Sequence, residues 1–151
     1  GTDVLYSGTV SAAIEASMYK VPAIALSQGI KNSFCPFEQS AKYSVKIINR
    51  AFEKGLEGNT VLSVNFPPIE QEKIVGIKVC KIGARSYTNN YIAINNQEEG
   101  TLYELRDELL ELRNEDTDTQ FVEEGYITIT PLHYDLTSFN LLHQFSKWFS
   151  S

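Results

Sequence analysis

Apolar residues fall at helical spacing in some stretches of the chain and at strand spacing in others. Over residues 9–19, Val10, Ala13, Ile14 and Met18 stand at i, i+3, i+4 and i+8, which makes one face of a helix. Ser17 takes the i+7 place on that face and is small enough for a close helix–sheet contact. Ser7 is placed as an N-cap, and Pro22 follows the helix. Ala23–Leu26 is a short apolar run suited to a buried parallel strand, and 28–36 is a loop rich in Gly, Asn, Ser and Pro. Ala41, Val45, Ile48 and Phe52 predict the clearest helix, over Phe37–Lys54, with Pro36 before it and Gly55 as a C-terminal cap glycine. Thr60–Phe66 is strand-like and must stop at Pro67-Pro68. Ile74–Ile82 is rich in β-branched residues and predicts another strand.

Tyr91–Asn95 and Thr101–Leu105 alternate around a polar turn through Gly100, as a β-hairpin with a longish loop does. The boundary with Asp107–Arg113 is open, and that piece can be a helical turn. Tyr126–Thr130 predicts a strand. Ser138–Phe149 predicts a terminal helix with Leu141, Leu142, Phe145, Trp148 and Phe149 on one side. The first half therefore alternates like an α/β sheet and the second is strand-rich. An α/β unit normally starts with a strand that feeds a loop and then a helix. Here the chain begins in the loop, and the strand expected to support Gly1–Ser7 is absent.

The 151 residues fit one domain, and a hydrophobic fraction of 42% supports a real core. No run of eighteen apolar residues occurs and the start shows no signal-peptide pattern, so the expectation is a cytoplasmic protein. Cys35 and Cys80 lack a CxxC or histidine partner, which suits idle thiols in a reducing compartment. The net charge of −6 is uneven: residues 98–118 carry −7 and the rest +1. An acidic chain without a basic stripe is a poor polynucleotide binder. The acidic run lacks EF-hand spacing and reads as a solvated face.

Tyr6-Ser7-Gly8-Thr9-Val10 is the most informative local string. Hydroxyl residues and a glycine at a helix start, with free backbone N–H groups and the helix dipole, favour an anion. An ordinary N-cap explains the same residues. The string is not a Walker loop. A rival is Ala25-Leu26-Ser27-Gln28-Gly29, one residue away from GxSxG, which makes Ser27 a candidate nucleophile. His133 precedes Asp135, the wrong order for that triad, although His143 follows, and no convincing helix starts after Gly29. His133 closes a strand and reads as structural or surface-exposed, and His143 lies between packing positions. The two histidines do not have metal-ligand spacing. Lys81 and Arg85 can attract phosphate but are unspecific.

Four strings carry a family resemblance. Asp3-Val4-Leu5-Tyr6-Ser7-Gly8-Thr9-Val10-Ser11-Ala12-Ala13, with Glu15 beyond, resembles the DxxYSGTVxAAxE segment of the survival-protein-E (SurE) nucleotidases. Pro22–Ser27 is similar to the strand that follows it there. Leu62–Pro67 resembles that family's lNiNvP strand, and Gly125–Thr137 its GyvsiTPLxxDlT segment. Asp118-Thr119 lies where the family often has an Asp before that last strand. The resemblance runs along the whole chain, 1–151, as one SurE-like domain without its N-terminal strands. It implies an α/β, Rossmann-like sheet, an oligomerising hairpin arm over about 86–115 and a C-terminal helix over about 138–149.

The resemblance also implies a metal-dependent phosphatase that hydrolyses nucleoside monophosphates, working as a homodimer or homotetramer. Carried over residue by residue, it assigns substrate phosphate contacts to Ser7, Gly8 and Thr9. The family's single divalent ion, Mg or Mn, is held by paired aspartates, a serine and an asparagine that would all lie upstream of Gly1. No catalytic or metal residue is then expected in this chain, and Asp3 matches the motif's leading Asp instead. A truncated gene product, an expressed fragment and an incomplete sequence all fit this departure. The alternative function is a non-catalytic remnant or interaction module of the same fold.

Overall fold

The computed structural model describes residues 2–84, 86–97, 100–110 and 115–150. A 3-10 turn, Thr2–Leu5, leads into α1 (Gly8–Met18), followed by β1 (Ala23–Gln28), α2 (Phe37–Glu53) and β2 (Val61–Phe66). After a second 3-10 turn, Gln71–Lys73, come β3 (Gly76–Val79), β4 (Ser86–Gln97), β5 (Gly100–Leu110), α3 (Asp118–Glu123), β6 (Tyr126–Leu132) and α4 (Phe139–Phe149).

Four strands form the main sheet in the order β1-β2-β6-β3. β1 runs parallel to β2 and β3 parallel to β6, while β2 and β6 are antiparallel. The architecture is the expected mixed α/β one. Strand parity divides the core into two layers. On one face Val10 and Ala13 of α1 pack with Ala23, Ala25 and Val61. On the other, Ile47 of α2 packs with Val64, Phe66 and Ile127. Val61, Val64 and Ile127 are wholly buried, each contributing about 1.5–3 kcal/mol of apolar burial. Ser17 is also wholly buried, its Oγ donating to the Gly58 carbonyl at 3.1 Å, which realises the close contact its size allows.

Local chemistry sets the element ends. Gly55, at φ 77°, closes α2: its N–H reaches the Phe52 carbonyl while Leu56 N–H reaches that of Ala51, the paired bonds of a Schellman cap. α1 ends in the same pattern with Lys20 at φ 63°. β3 is shorter than the β-branched run suggests. Ile74 closes the Gln71–Lys73 turn, and beyond Val79 only Lys81 makes a single bridge, to Thr117. β6 instead runs past Thr130 to Leu132. Pro131 pairs with Leu62 but lies beyond the reach of β3, where its missing N–H leaves no gap in that ladder.

The hairpin is real and longer than the alternation indicates. β4 and β5 make a two-stranded sheet of their own, paired from Ser86↔Leu110 to Gln97↔Gly100, with a register shift between Ala93 and Asn95. Gln97 and Gly100 close it around residues 98–99 rather than a longish loop; those two lie outside the described residues. The helical turn considered for Asp107–Arg113 is corrected to strand through Leu110, and 111–113 fall outside the described residues. Thr2 N–H donates to the Gly83 carbonyl at 2.8 Å and ties the first turn to the 81–84 loop.

Candidate functional site

β1 and β2 end side by side at Gln28 and Phe66. Carboxyl ends of parallel strands are where open α/β sheets place ligands. A cleft of about 300 Å³ lies there, lined among others by Asp3, Ser7, Ser27, Ser63, Asn65 and Asp118. That volume is at the lower bound of small-molecule sites.

Of the three residues singled out for phosphate, Ser7 lines the cleft, and Gly8 and Thr9 are exposed at the first turn beside it. Ser7 is the N-cap of α1, with φ −78°, ψ 116° and its Oγ accepting from Val10 N–H at 3.2 Å. Capping uses an oxygen lone pair and leaves the hydroxyl hydrogen to donate elsewhere. The cap therefore does not compete with anion binding. The first turn of a helix holds N–H groups without intrahelical acceptors. A Cβ built on Gly8 meets nothing within 4 Å, so open space lies over this helix start.

The floor holds residues that periodicity did not single out. Val61, Ser63 and Asn65 alternate onto the α1 face of β2, while Leu62, Val64 and Phe66 point to the α2 side. Ser63, Thr128 and Thr130 are buried on the cleft side, and Asn65 Nδ2 lies 3.4 Å from Thr128 Oγ1. A buried polar stripe under a cleft is unusual in a core face. Its signal in the sequence is the pair Ser63 and Asn65 at i, i+2 in an otherwise apolar strand.

Asp118 corrects the reading of the acidic run as a solvated face. It is 2% exposed, at the first position of α3, and lines the cleft. Its Oδ1 accepts from Gly83 N–H at 2.7 Å and from Thr119 N–H at 2.8 Å. Thr117 caps this short helix, accepting from Gln120 N–H, and Gln120 Oε1 in turn accepts from Asp116 N–H at 3.0 Å. Thr117-Asp118-Thr119-Gln120 thus carries the sequence signature of a capping box, the signal that marks α3.

Ser27 does line the cleft, but its proposed triad is not assembled. His133 and His143 are exposed, and neither lines the cleft. α2 starts only at Phe37, so no strand–turn–helix elbow forms at Ser27. Gln28 instead ties this loop together, receiving a bond from Ser40 Oγ and donating to the Gly29 carbonyl at 2.7 Å. Lys81 is exposed, and Arg85 lies outside the described residues. Burial pushes the Cys80 thiol up, outweighing its contact with Thr130 Oγ1, which works against a thiolate there. Both cysteines are free.

A hard divalent cation needs several oxygen ligands. Asp3 and Asp118 both reach the cleft, but Asp118 Oδ1 is committed to two backbone N–H groups. Among the described residues no group of three or more His, Cys, Asp or Glu gathers to hold a metal. The described residues therefore do not fit a cation site of their own. No helix among them is long and apolar enough to cross a membrane.

Comparison with known proteins gives a consistent picture. The chain is similar to a 5'-nucleotidase SurE from Clostridium tetani (strain Massachusetts / E88), 42% identical over 147 residues, which are 97% of this chain and 59% of the relative. It is similar to a protein of the same name from Clostridium beijerinckii, 40% identical over 99% of this chain and 60% of the relative. The chain thus spans about three fifths of the length of the curated relatives it matches. The crystal structure of the SurE protein from Aquifex aeolicus superposes with a TM-score of 0.81 at 34% identity, covering 98% of this chain and 60% of that one. The family model described as survival protein SurE matches residues 1–89, more than half of the 151, and the chain belongs to that family.

Proposed function

We propose that this chain is the phosphate-binding part of a phosphatase that hydrolyses nucleoside monophosphates to nucleoside and phosphate. The observation that carries the reading is Ser7, which caps α1 while lining the cleft at the carboxyl ends of β1 and β2. Relatives that bear the name 5'-nucleotidase supply the substrate class. In this reading the Ser7 and Thr9 hydroxyls and the N–H groups of Gly8 and Thr9 hold the phosphoryl oxygens. Gly8 lets the oxygens approach the backbone, because no side chain covers it.

The reading includes one divalent ion, Mg or Mn, with ligands on the part of the relatives that this chain does not span. No catalytic step is assigned to the described residues. The two free cysteines suit a reducing, cytoplasmic setting. Phosphomonoester hydrolysis is among the slowest uncatalysed reactions, so a phosphate-binding helix start alone does not supply the acceleration. The chain by itself is therefore inactive, and the hairpin and α4 serve assembly into a homodimer or homotetramer.

The test is phosphate release from nucleoside monophosphates with Mg or Mn. The purified chain should release none above background. Mixing it with the N-terminal portion of a relative should restore release. Robust activity from the chain alone overturns the division of labour. The second reading, an interaction module without catalysis, is favoured only by the exposed apolar face of α4. A complemented enzyme that stays inactive yet assembles would establish it.

A further inference from the structure

We infer that Asp118 is a positioning residue, which clamps the Gly83 loop and through it the turn that delivers Ser7 to the cleft. The chain of contacts is short. The Asp118 carboxylate accepts from Gly83 N–H at 2.7 Å and from Thr119 N–H at 2.8 Å. The other side of the same glycine, its carbonyl, accepts from Thr2 N–H at 2.8 Å. Thr2 opens the Thr2–Leu5 turn, within which Asp3 and Val4 carbonyls receive Tyr6 and Ser7 N–H. Ser7 then caps α1.

Gly83 is buried so closely against Thr117 and Thr119 that a Cβ would collide with the Thr119 hydroxyl. The loop therefore touches α3 backbone to side chain, and the Asp118 Oδ1 is the acceptor that fixes it. Asp118 N–H also donates to the Lys81 carbonyl at 3.0 Å, so the residue grips the loop at two points. A carboxylate that accepts several backbone N–H groups is a rigid, strongly held anchor. What the turn is held for rests on the phosphate reading above, whereas the clamp itself does not.

The experiment combines amide hydrogen exchange on the phosphate-free chain with titration by inorganic phosphate. Loss of a hydrogen bond to a charged group should speed exchange at Gly83, Tyr6 and Ser7 by about tenfold or more in Asp118→Ala, with α2 amides unchanged. Phosphate affinity should fall in step. Asp118→Asn keeps an Oδ1 acceptor and should recover most of both. Unchanged exchange at Gly83, Tyr6 and Ser7 in Asp118→Ala overturns the clamp, as does an Asn variant no better than Ala. If Asp118→Ala does not fold, Thr2→Pro decides, because it removes the N–H that closes this chain of contacts, on an exposed residue. It should free Tyr6 and Ser7 while Gly83 stays protected, and unchanged Tyr6 and Ser7 overturn the proposal. A wild-type chain whose Gly8 and Thr9 amides ignore phosphate sinks the phosphate reading instead, while the exchange arms still decide the clamp.

Discussion

Gly8 allows an unusually clean substitution. Its Cβ position is open, and it carries no positive φ, so Gly8→Val adds bulk over the helix start without a collision inside the fold. Thr9→Val removes one hydroxyl and keeps the shape. In a complete enzyme each should lower catalytic efficiency by about ten- to a hundredfold, the value of a hydrogen bond to a charged group, with melting temperature nearly unchanged. Wild-type kinetics in both variants would reduce Ser7-Gly8-Thr9 to a plain helix cap. A second residue-scale expectation concerns Asp135. The Thr137 side chain and N–H, the latter at 2.9 Å, hold its carboxyl below the usual range. A depressed folded pKa stabilises the turn above the unfolded value and loses that stabilisation as pH falls through the folded one. The Thr137 amide resonance should therefore titrate on the acid side of ordinary Asp behaviour, and an Asp135→Asn chain should lose that titration. At this scale the sequence displayed Ser7 through its helix and its motif. Asp118 was marked only by the family resemblance, and Ser63 and Asn65 were not singled out, because their importance depends on which strand face or loop they meet, and no single periodicity carries that.

The helices α1 and α2 were legible because several turns of apolar spacing and a recognisable cap agree in each, but the α2 face read from that spacing is not the buried one: Ser44 and Ile47 face the core, while Ala41, Val45 and Phe52 are exposed. α3 was not, since six residues make too few turns for a periodic face. Its one local mark is the Thr117-x-x-Gln120 spacing, which lies inside a run of acids and was not read as a helix start. β3 was over-read for the opposite reason: β-branched residues at Ile74 and Ile82 flank a strand whose pairing partner β6 reaches only Gly76–Val79. The hairpin was under-read, because pairing continues well beyond its apolar alternation. The caps make a quantitative statement. Gly55 has φ 77° and nothing within 4 Å of its Cβ position, so Gly55→Ala meets backbone strain without steric collision. It should destabilise the chain by about 1–2 kcal/mol, read as a lower urea midpoint at constant slope. A change below a few tenths would mean that α2 does not depend on its Schellman cap.

At the scale of the whole molecule, much apolar surface has no partner among the described residues. β1 pairs with β2 on one side only, which leaves an edge open to another strand. α4 buries none of its side chains: Trp148 is 59% exposed and Phe149 78%, although Phe145 meets Trp148 at a tilt and stacks with Phe149. Apolar surface of this extent marks association. The chain should therefore self-associate at micromolar concentration, and Phe145→Ser together with Trp148→Ser should weaken that association without lowering helical content in the core. A stable monomer by light scattering would contradict it. In the proposed function the start of α1 holds the substrate phosphate. That reading is tested most directly by following backbone amide resonances of the chain during titration with a nucleoside monophosphate. Saturable shifts at Gly8 and Thr9, lost in Gly8→Val and matched by inorganic phosphate, are the result expected. Amides of Gly8 and Thr9 that stay in place while others move, or a spectrum that does not respond at all, would contradict it.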